Sequence, residues 1–117
     1  MSYLDSEVRP WGSYHIICND KKFKIKKIEV NPGQRLSYQY HNKRSETWTV
    51  ISGIANVTIN DKDYVLNAGD SITIPLKAKH RVENKDLNSL IFIEVQTGSY
   101  FGEDDIVRLE DDYNRVK

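Results

Sequence analysis

The chain has 117 residues, of which 38% are hydrophobic and 29% charged, an ordinary composition for one soluble domain spanning residues 1–117. Its 17 Lys and Arg side chains balance 17 Asp and Glu side chains, so bulk charge argues against a nucleic-acid or anionic-membrane partner. The single cysteine excludes an internal disulfide, and without a membrane-length apolar run or a signal peptide we expect a cytoplasmic protein.

The first part of the chain predicts an arm and two strands. Residues 1–8 carry no periodic pattern and are expected to form a frayed or docked N-terminal arm. Strands are predicted over Ser13–Cys18 and Lys22–Val30, on either side of a turn. Apolar residues alternate with lysines in the second strand, and a bulge near Lys26 and Lys27 would explain a change of phase. These lysines are most simply exposed to solvent, although any one of them could face a pocket.

Two further predicted strands, Arg35–His41 and Glu46–Ile51, carry side chains that can bind metal ions. Gln39 and His41 are two residues apart and therefore lie on the same face of a strand. Glu46 returns beside them after a short polar turn. Each of the three can donate a lone pair to a metal ion, and a fourth ligand should come from elsewhere in the chain.

Short strands continue through the middle of the chain, at Ile54–Asn60, Tyr64–Leu66, Ser71–Pro75, His80–Glu83 and Leu90–Gln96. The last is a nearly continuous apolar run interrupted by Glu94. Acidic residues before Ile106 favour a helix start, so we expect a short helix over residues 104–112 in a C-terminal helical segment, 103–117. Many short strands separated by turns predict an all-β antiparallel sandwich or small barrel.

Besides His41, the chain has two histidines that could supply the fourth ligand. His15 has no companions and is best explained as a structural residue. His80 follows a turn and a short strand, and is the partner expected for His41. Two imidazoles, one carboxylate and one amide oxygen can close around one divalent ion, and such donors suit Zn, Mn, Fe, Co or Ni.

Two spaced motifs resemble those of the cupins. The first cupin motif reads Gly, His, His, Glu, Gly, and its spacing is matched by Gly33, Gln39, His41, Glu46 and Gly53. The second reads Gly, Pro, Gly, His, Asn, and its spacing is matched by Gly69, Pro75, Lys77, His80 and Asn84. The Lys77 departure concerns turn geometry rather than ligation. The resemblance implies a cupin-type antiparallel β-barrel (jelly roll) with one metal ion held by Gln39, His41, Glu46 and His80.

A narrower resemblance, from Arg9 onward, is to type II phosphomannose isomerases. It is carried by Arg-Pro-Trp-Gly-Ser-Tyr at 9–14, Leu-Ser-Tyr-Gln-Tyr-His at 36–41, Arg-Ser-Glu-Thr-Trp-Thr-Val at 44–50 and Ile-Glu-Val-Gln-Thr-Gly-Ser-Tyr-Phe-Gly-Glu-Asp-Asp-Ile-Val-Arg at 93–108. Gln39 is itself a feature of that group. Family members usually carry His where this chain has Thr47, a change that would remove a polar group from the pocket. They usually carry Gly where it has Asn114, a mild change because Asn tolerates left-handed geometry.

The resemblance implies a mannose-6-phosphate isomerase, a metal-dependent aldose–ketose isomerase (intramolecular oxidoreductase) that forms fructose 6-phosphate through a cis-enediol. The metal would act as a Lewis acid, with zinc preferred over Mn, Co, Ni or Fe. Glu94 is the candidate base, unless it faces outward or pairs with a lysine. Arg108 and Arg115 are the candidate catalytic cations, and Arg44 and Lys26 are candidates for substrate binding.

The larger guanylyltransferase domain that usually accompanies such isomerases in the GDP-mannose pathway is absent from these residues, so that activity is not expected. Three alternatives stay open: a metal-dependent dioxygenase using His41, Glu46 and His80, a non-catalytic sugar-binding cupin, and another small-sugar isomerase or epimerase. Terminal arms on such a barrel favour a homodimer formed by strand exchange.

Overall fold

A computed structural model describes residues 2–115, and within them all regular secondary structure is β-strand. The strands are β1 Asp5–Arg9, β2 Gly12–Asn19, β3 Phe23–Val30, β4 Tyr38–Tyr40, β5 Arg44–Ser52, β6 Ala55–Ile59, β7 Lys62–Leu66, β8 Ser71–Ile74, β9 His80–Glu83, β10 Leu90–Gly98 and β11 Val107–Glu110. A six-stranded sheet has the order β1-β2-β3-β10-β5-β8, and a five-stranded sheet has the order β11-β4-β9-β6-β7. Nothing in this range is a helix long and apolar enough to span a bilayer.

The inner face of the six-stranded sheet changes character along its strands. Alternate residues of β3, β5 and β10 point inward, as the two-residue period of a strand requires. At one end these side chains are apolar and join the core cluster: Ile28, Val30, Trp48, Val50, Leu90 and Phe92. At the other end they are polar or charged yet still buried: Lys24, Lys26, Arg44, Glu46, Glu94 and Gln96. We call these the closed end and the open end.

The alternation in β3 does not change phase. Lys24 and Lys26 occupy the same inward phase as the apolar residues that follow them, and only 6% and 4% of their surfaces are exposed. The expectation that they are solvated is therefore wrong, whereas Lys27 lies half-buried on the outer face. The irregularity lies in the neighbouring strand β2, between Ile16 and Cys18, and it leaves the inward phase of β3 unchanged.

The predicted helix over residues 104–112, within the segment 103–117, is wrong for the part of that segment that is described. Residues Val107–Glu110 form β11, which pairs with β4. The acidic residues before it make tertiary contacts instead of capping a helix. Glu103 binds two lysines, and the Asp105 carboxylate accepts hydrogen bonds from backbone N–H groups in the β4–β5 turn. The last two residues of the segment lie outside the described range.

Of the frayed or docked arm predicted over residues 1–8, the part from Asp5 onward is docked, because Asp5–Arg9 forms β1 at the edge of the six-stranded sheet. Its side chains are almost all exposed, and Val8 is one of them. Backbone pairing with β2, rather than burial, holds the strand in place. A strand exposed on both faces has no reason to show hydrophobic alternation, which explains why the pattern was absent. Met1 lies outside the described range.

Candidate metal centre and pocket

A cavity opens between the two sheets at the open end. Trp11, Ile28 and Val82 line the side of the cavity that adjoins the core cluster. The four predicted metal ligands all line it: Gln39, His41, Glu46 and His80. The cavity therefore combines an apolar wall with a set of metal-binding side chains.

Residues from both sheets bring the ligand atoms together. His41, Glu46 and His80 each offer one ligand atom, and these atoms lie within 4.8 Å of one another. Gln39 on β4 is paired directly with His80 on β9, so their side chains occupy neighbouring positions on one sheet. Glu46 comes from β5 in the other sheet. The Gln39 amide nitrogen donates to Ser37 Oγ (3.1 Å), which leaves its amide oxygen as the atom available to a cation.

Backbone carbonyl groups orient both histidines. Nδ1 of His41 lies 2.7 Å from the carbonyl oxygen of Asp105, and Nδ1 of His80 lies 2.9 Å from that of Ala78. A carbonyl oxygen only accepts, so each Nδ1 carries the proton and each Nε2 keeps its lone pair. Burial lowers the pKa of His41 to about 3 and that of His80 to about 4, and the nearby Arg44 guanidinium adds to both effects. Both rings are thus held neutral, the form that binds a metal ion.

The Glu46 carboxylate is fixed at both oxygens. Arg44 Nε donates to Oε2 (2.9 Å) and Trp48 Nε1 donates to Oε1 (3.0 Å). A carboxylate has about four lone-pair sites, so both oxygens can still bind a cation. Arg44, predicted to bind substrate, lines the cavity, but its Nε–H group is already hydrogen-bonded to this carboxylate. Taken together with the neutral histidines, the donor set fits one divalent ion.

Glu94 faces the cavity, so its outward-facing alternative is wrong. The side chain is buried, and its oxygens accept hydrogen bonds from Trp48 Nε1 (3.1 Å) and Gln96 Nε2 (2.8 Å). Burial raises the pKa of Glu94 to about 7, the negative charge of Glu46 adds to the rise, and Lys26 opposes it. A buried carboxyl group with a pKa near neutrality can both accept and return a proton.

The cavity is cationic although the chain is neutral. Six basic side chains line it: Arg9, Lys26, Arg44, Arg81, Arg108 and Arg115. The acidic side chains that line it are three: Glu46, Glu94 and Glu103. Arg115 is held by two hydrogen bonds to Asp111 (2.8 and 2.9 Å). Arg108 differs, because its buried Nε has no hydrogen-bond partner among residues 2–115, and burial and the Arg115 charge lower its pKa.

Thr47 does not line the cavity. It lies on the exposed side of β5, opposite the Glu46 and Trp48 side chains that point inward. The expectation that Thr47 costs the pocket a polar group is therefore wrong. Asn114, in contrast, has a φ of 61°, the left-handed geometry expected for it. His15 stacks on Tyr3 and does not line the cavity, in agreement with a structural role.

Sequence reasoning missed several residues of the cavity and its rim. Arg9 and Arg81 line the cavity, and so does Tyr14 from β2. Glu103 lines it from the segment that was predicted to be helical. Because Ile28 and Val30 point inward, alternation along β3 would have predicted that Lys24 also points inward. The lining residues from distant segments, such as Arg81 and Glu103, belong to no local sequence pattern that could have predicted their position.

The comparisons with known proteins agree with this geometry. Residues 3–111 match the family model of the mannose-6-phosphate isomerase C-terminal domain. The chain belongs to this family. It is 50% identical over 108 residues to the alginate biosynthesis protein AlgA of Pseudomonas aeruginosa, covering 92% of the chain and 22% of AlgA. It is 48% identical over 108 residues to the mannose-1-phosphate guanylyltransferase ManC of Salmonella typhimurium, again covering 92% of the chain and 22% of the relative. The chain thus spans about a fifth of the length of these curated relatives.

A solved structure supports the fold of this member of the mannose-6-phosphate isomerase family. A Klebsiella pneumoniae protein with a double-stranded β-helix domain superposes with a TM-score of 0.71 at 25% identity, covering 82% of this chain and 77% of that one. The predicted all-β cupin fold is therefore confirmed, apart from the C-terminal helix.

Proposed function

We propose that this chain is a metal-dependent isomerase that interconverts mannose 6-phosphate and fructose 6-phosphate. The supporting observation is one cavity that combines a His-Glu-His cluster, the buried Glu94 carboxyl group and an excess of basic side chains. An aldose–ketose isomerase needs these three parts to polarise the sugar, move a proton and hold a phosphate. Membership of the isomerase family supports the same reaction.

Gln39, His41, Glu46 and His80 are the proposed ligands of one divalent ion, zinc by preference, with Mn, Co, Ni and Fe as alternatives. When bound, such an ion supplies Lewis-acid polarisation of the sugar oxygens and offsets the negative charge of an enediolate. The role of the chain is to keep the four donors oriented and deprotonated. Burial and the two carbonyl contacts of the histidines do this for the imidazoles.

Glu94 is the proposed base. In its ionised form it removes the proton from C2 of the open-chain aldose to give a cis-enediolate. The proton of the C2 hydroxyl group passes to the C1 oxygen, and the protonated Glu94 returns its proton to C1 to give the ketose. A pKa of about 7 suits both halves of this cycle at neutral pH. Trp48 and Gln96 fix the carboxyl group from either side.

Arg108 and Arg115 are the proposed partners of the substrate phosphate. Arg108 lines the cavity with a buried N–H group that has no partner within residues 2–115. Guanidinium groups bind phosphate oxygens through paired N–H donors, and Asp111 holds Arg115 in a fixed orientation for this. Lys26 and Arg44 are proposed to bind the substrate as well.

The test is a coupled assay on mannose 6-phosphate with the protein loaded in turn with Zn, Mn, Co or Ni. Glu94→Gln should lower kcat by about 10²–10⁴-fold while metal stoichiometry stays at the wild-type value. Glu29→Gln, a matched change on the outer face of the same sheet, should leave kcat unchanged.

His80→Ala should abolish stoichiometric metal binding, and retention of one bound ion would refute the ligand set. Absence of turnover with all four ions would contradict the isomerase proposal. Oxygen uptake by the iron-loaded protein would then favour the dioxygenase alternative.

A further inference from the structure

We propose that Lys24 and Lys26 form an anion subsite, that the Glu103 carboxylate occupies it in the free protein, and that the phosphate group of a sugar phosphate displaces this carboxylate. Only the identity of the displacing anion rests on the proposed isomerase function. The subsite itself follows from the contacts of these three side chains.

The two lysines are unusual because they are buried on the inner face of a strand. Both Glu103 oxygens lie 2.8 Å from Lys26 Nζ, and one of them lies 3.1 Å from Lys24 Nζ. The ion pairs that these lysines make within residues 2–115 both go to this single carboxylate. In these ion pairs two positive charges share one carboxylate, while the Glu94 carboxyl group, whose pKa is about 7, also faces Lys26. A phosphate carrying about −1.5 to −2 charges would balance the two lysines better than the single Glu103 carboxylate does.

Glu103 is placed where an incoming ligand can reach it. It lies between β10 and β11 rather than in a strand, and 40% of its side chain is exposed. It lines the main cavity and also a second one, whose other lining residues include Arg108 and Arg115. Lys26 lines the main cavity as well, so moving the carboxylate aside would join Lys26, with Lys24 beside it, to the arginines proposed to bind phosphate.

The segment that carries Glu103 is anchored only weakly on the side that would move. Lys24 Nζ donates to the carbonyl oxygen of Phe101 (3.3 Å), and Arg44 donates to that of Gly102 (3.4 Å), both long contacts. Asp105, just beyond, is held by shorter hydrogen bonds of 2.7 to 3.0 Å that include the one from His41. Displacement of Glu103 therefore leaves the orientation of the metal ligand His41 intact.

The experiment is a calorimetric titration of the full chain with inorganic phosphate in a chloride buffer. Glu103→Gln should tighten phosphate binding by about tenfold, because the competing charge is gone while a side chain of the same shape remains. Glu29→Gln makes the same change in net charge on the outer face and should leave the affinity at the wild-type value. Unchanged or weaker phosphate binding by Glu103→Gln would overturn the proposal.

A second variant removes a cation instead of the carboxylate. Lys24→Gln, made in the Glu103→Gln background, should cancel the gain in phosphate affinity, and a gain that persists would contradict the subsite. Because these titrations need no turnover, their outcome is separate from that of the isomerase assay. If Glu103→Gln binds phosphate more tightly but the wild-type protein does not isomerise mannose 6-phosphate, the anion subsite is supported and only the proposed reaction is contradicted.

Discussion

At the scale of single residues, the face of the strand on which a residue lies decides whether its substitution changes the cavity. Thr47 is exposed between two buried neighbours of β5, Glu46 and Trp48. We expect Thr47→His to leave kcat/KM for mannose 6-phosphate unchanged and to alter the free energy of unfolding by no more than about 0.5 kcal/mol. Steady-state kinetics and urea unfolding measure the two quantities. A large gain in kcat/KM would show that position 47 acts on the reaction after all.

The Glu103 carboxylate makes stability depend on pH in a defined window. Burial raises its pKa, but Lys26 and Lys24 outweigh this and hold it at about 2, below the usual 4.5. The ionised form therefore stabilises the folded state, fully so above pH 4.5, and this contribution is lost as the pH falls from about 4.5 to about 2. Urea unfolding across this window should show a steeper loss of stability for wild type than for Glu103→Gln. Parallel curves would contradict the ion pairs.

Residues that are close in sequence were predicted better than residues that meet only in the fold. The positions of Gln39 and His41 on one face follow from a spacing of two, and the structure places both in the cavity wall. Lys24 and Glu103 are far apart in the sequence, and their contact depends on how the segment after β10 crosses the open end. No local pattern encodes that crossing.

At the scale of elements, the clearest error concerns β11. Its sequence has acidic residues ahead of apolar ones, which favours a helix when considered alone. Strand β4 is only three residues long, and pairing with β11 on one side and β9 on the other places it inside the sheet. The backbone hydrogen bonds that β11 makes with β4 outweigh the weak helix preference of this sequence.

The turn before β9 carries a conformational strain that can be removed. Lys77 has a φ of 65°, which costs a residue with a side chain roughly 1–2 kcal/mol, and its N–H group donates to the carbonyl oxygen of His41 (3.0 Å). We expect Lys77→Gly to stabilise the protein by up to about 1 kcal/mol, since the extra freedom of glycine in the unfolded chain offsets part of the gain.

Thermal unfolding of the metal-free protein measures the effect of Lys77→Gly. Lys79→Gly serves as the control, because Lys79 is not among the residues with positive φ and its replacement should destabilise the fold. A loss of stability in Lys77→Gly would contradict the proposal that Lys77 strains the backbone of this turn.

At the scale of the whole molecule, charge is separated although it sums to zero. The chain has 17 basic and 17 acidic side chains, yet the cavity has twice as many basic as acidic lining residues. The proposed anionic substrate would therefore be attracted by a local field that salt screens over roughly 10 Å at 0.1 M. The KM for mannose 6-phosphate should rise with NaCl concentration, and Arg108→Gln should show a smaller rise. A KM independent of salt would contradict this attraction.

Residues that stabilise the fold and residues that line the cavity lie at opposite ends of the same strands. The closed end supplies the apolar core, whereas the open end holds buried charges that serve the cavity. Leu90→Ala, at the closed end, should cost about 2–5 kcal/mol of folding free energy in urea unfolding. The folded fraction should still bind one metal ion, and loss of the ion from folded protein would contradict this separation.

The route of the chain around the cavity has a consequence for protein synthesis. All four proposed metal ligands have been translated once the ribosome has passed His80, but Asp105, whose carbonyl oxygen orients His41, follows much later. Arg108 and Arg115 come later still. A nascent chain therefore carries the donors for a metal ion before it carries Arg108 and Arg115, the two arginines proposed to bind the substrate phosphate. A translation product or proteolytic fragment that stops before residue 105 would keep the donors and lack these two arginines.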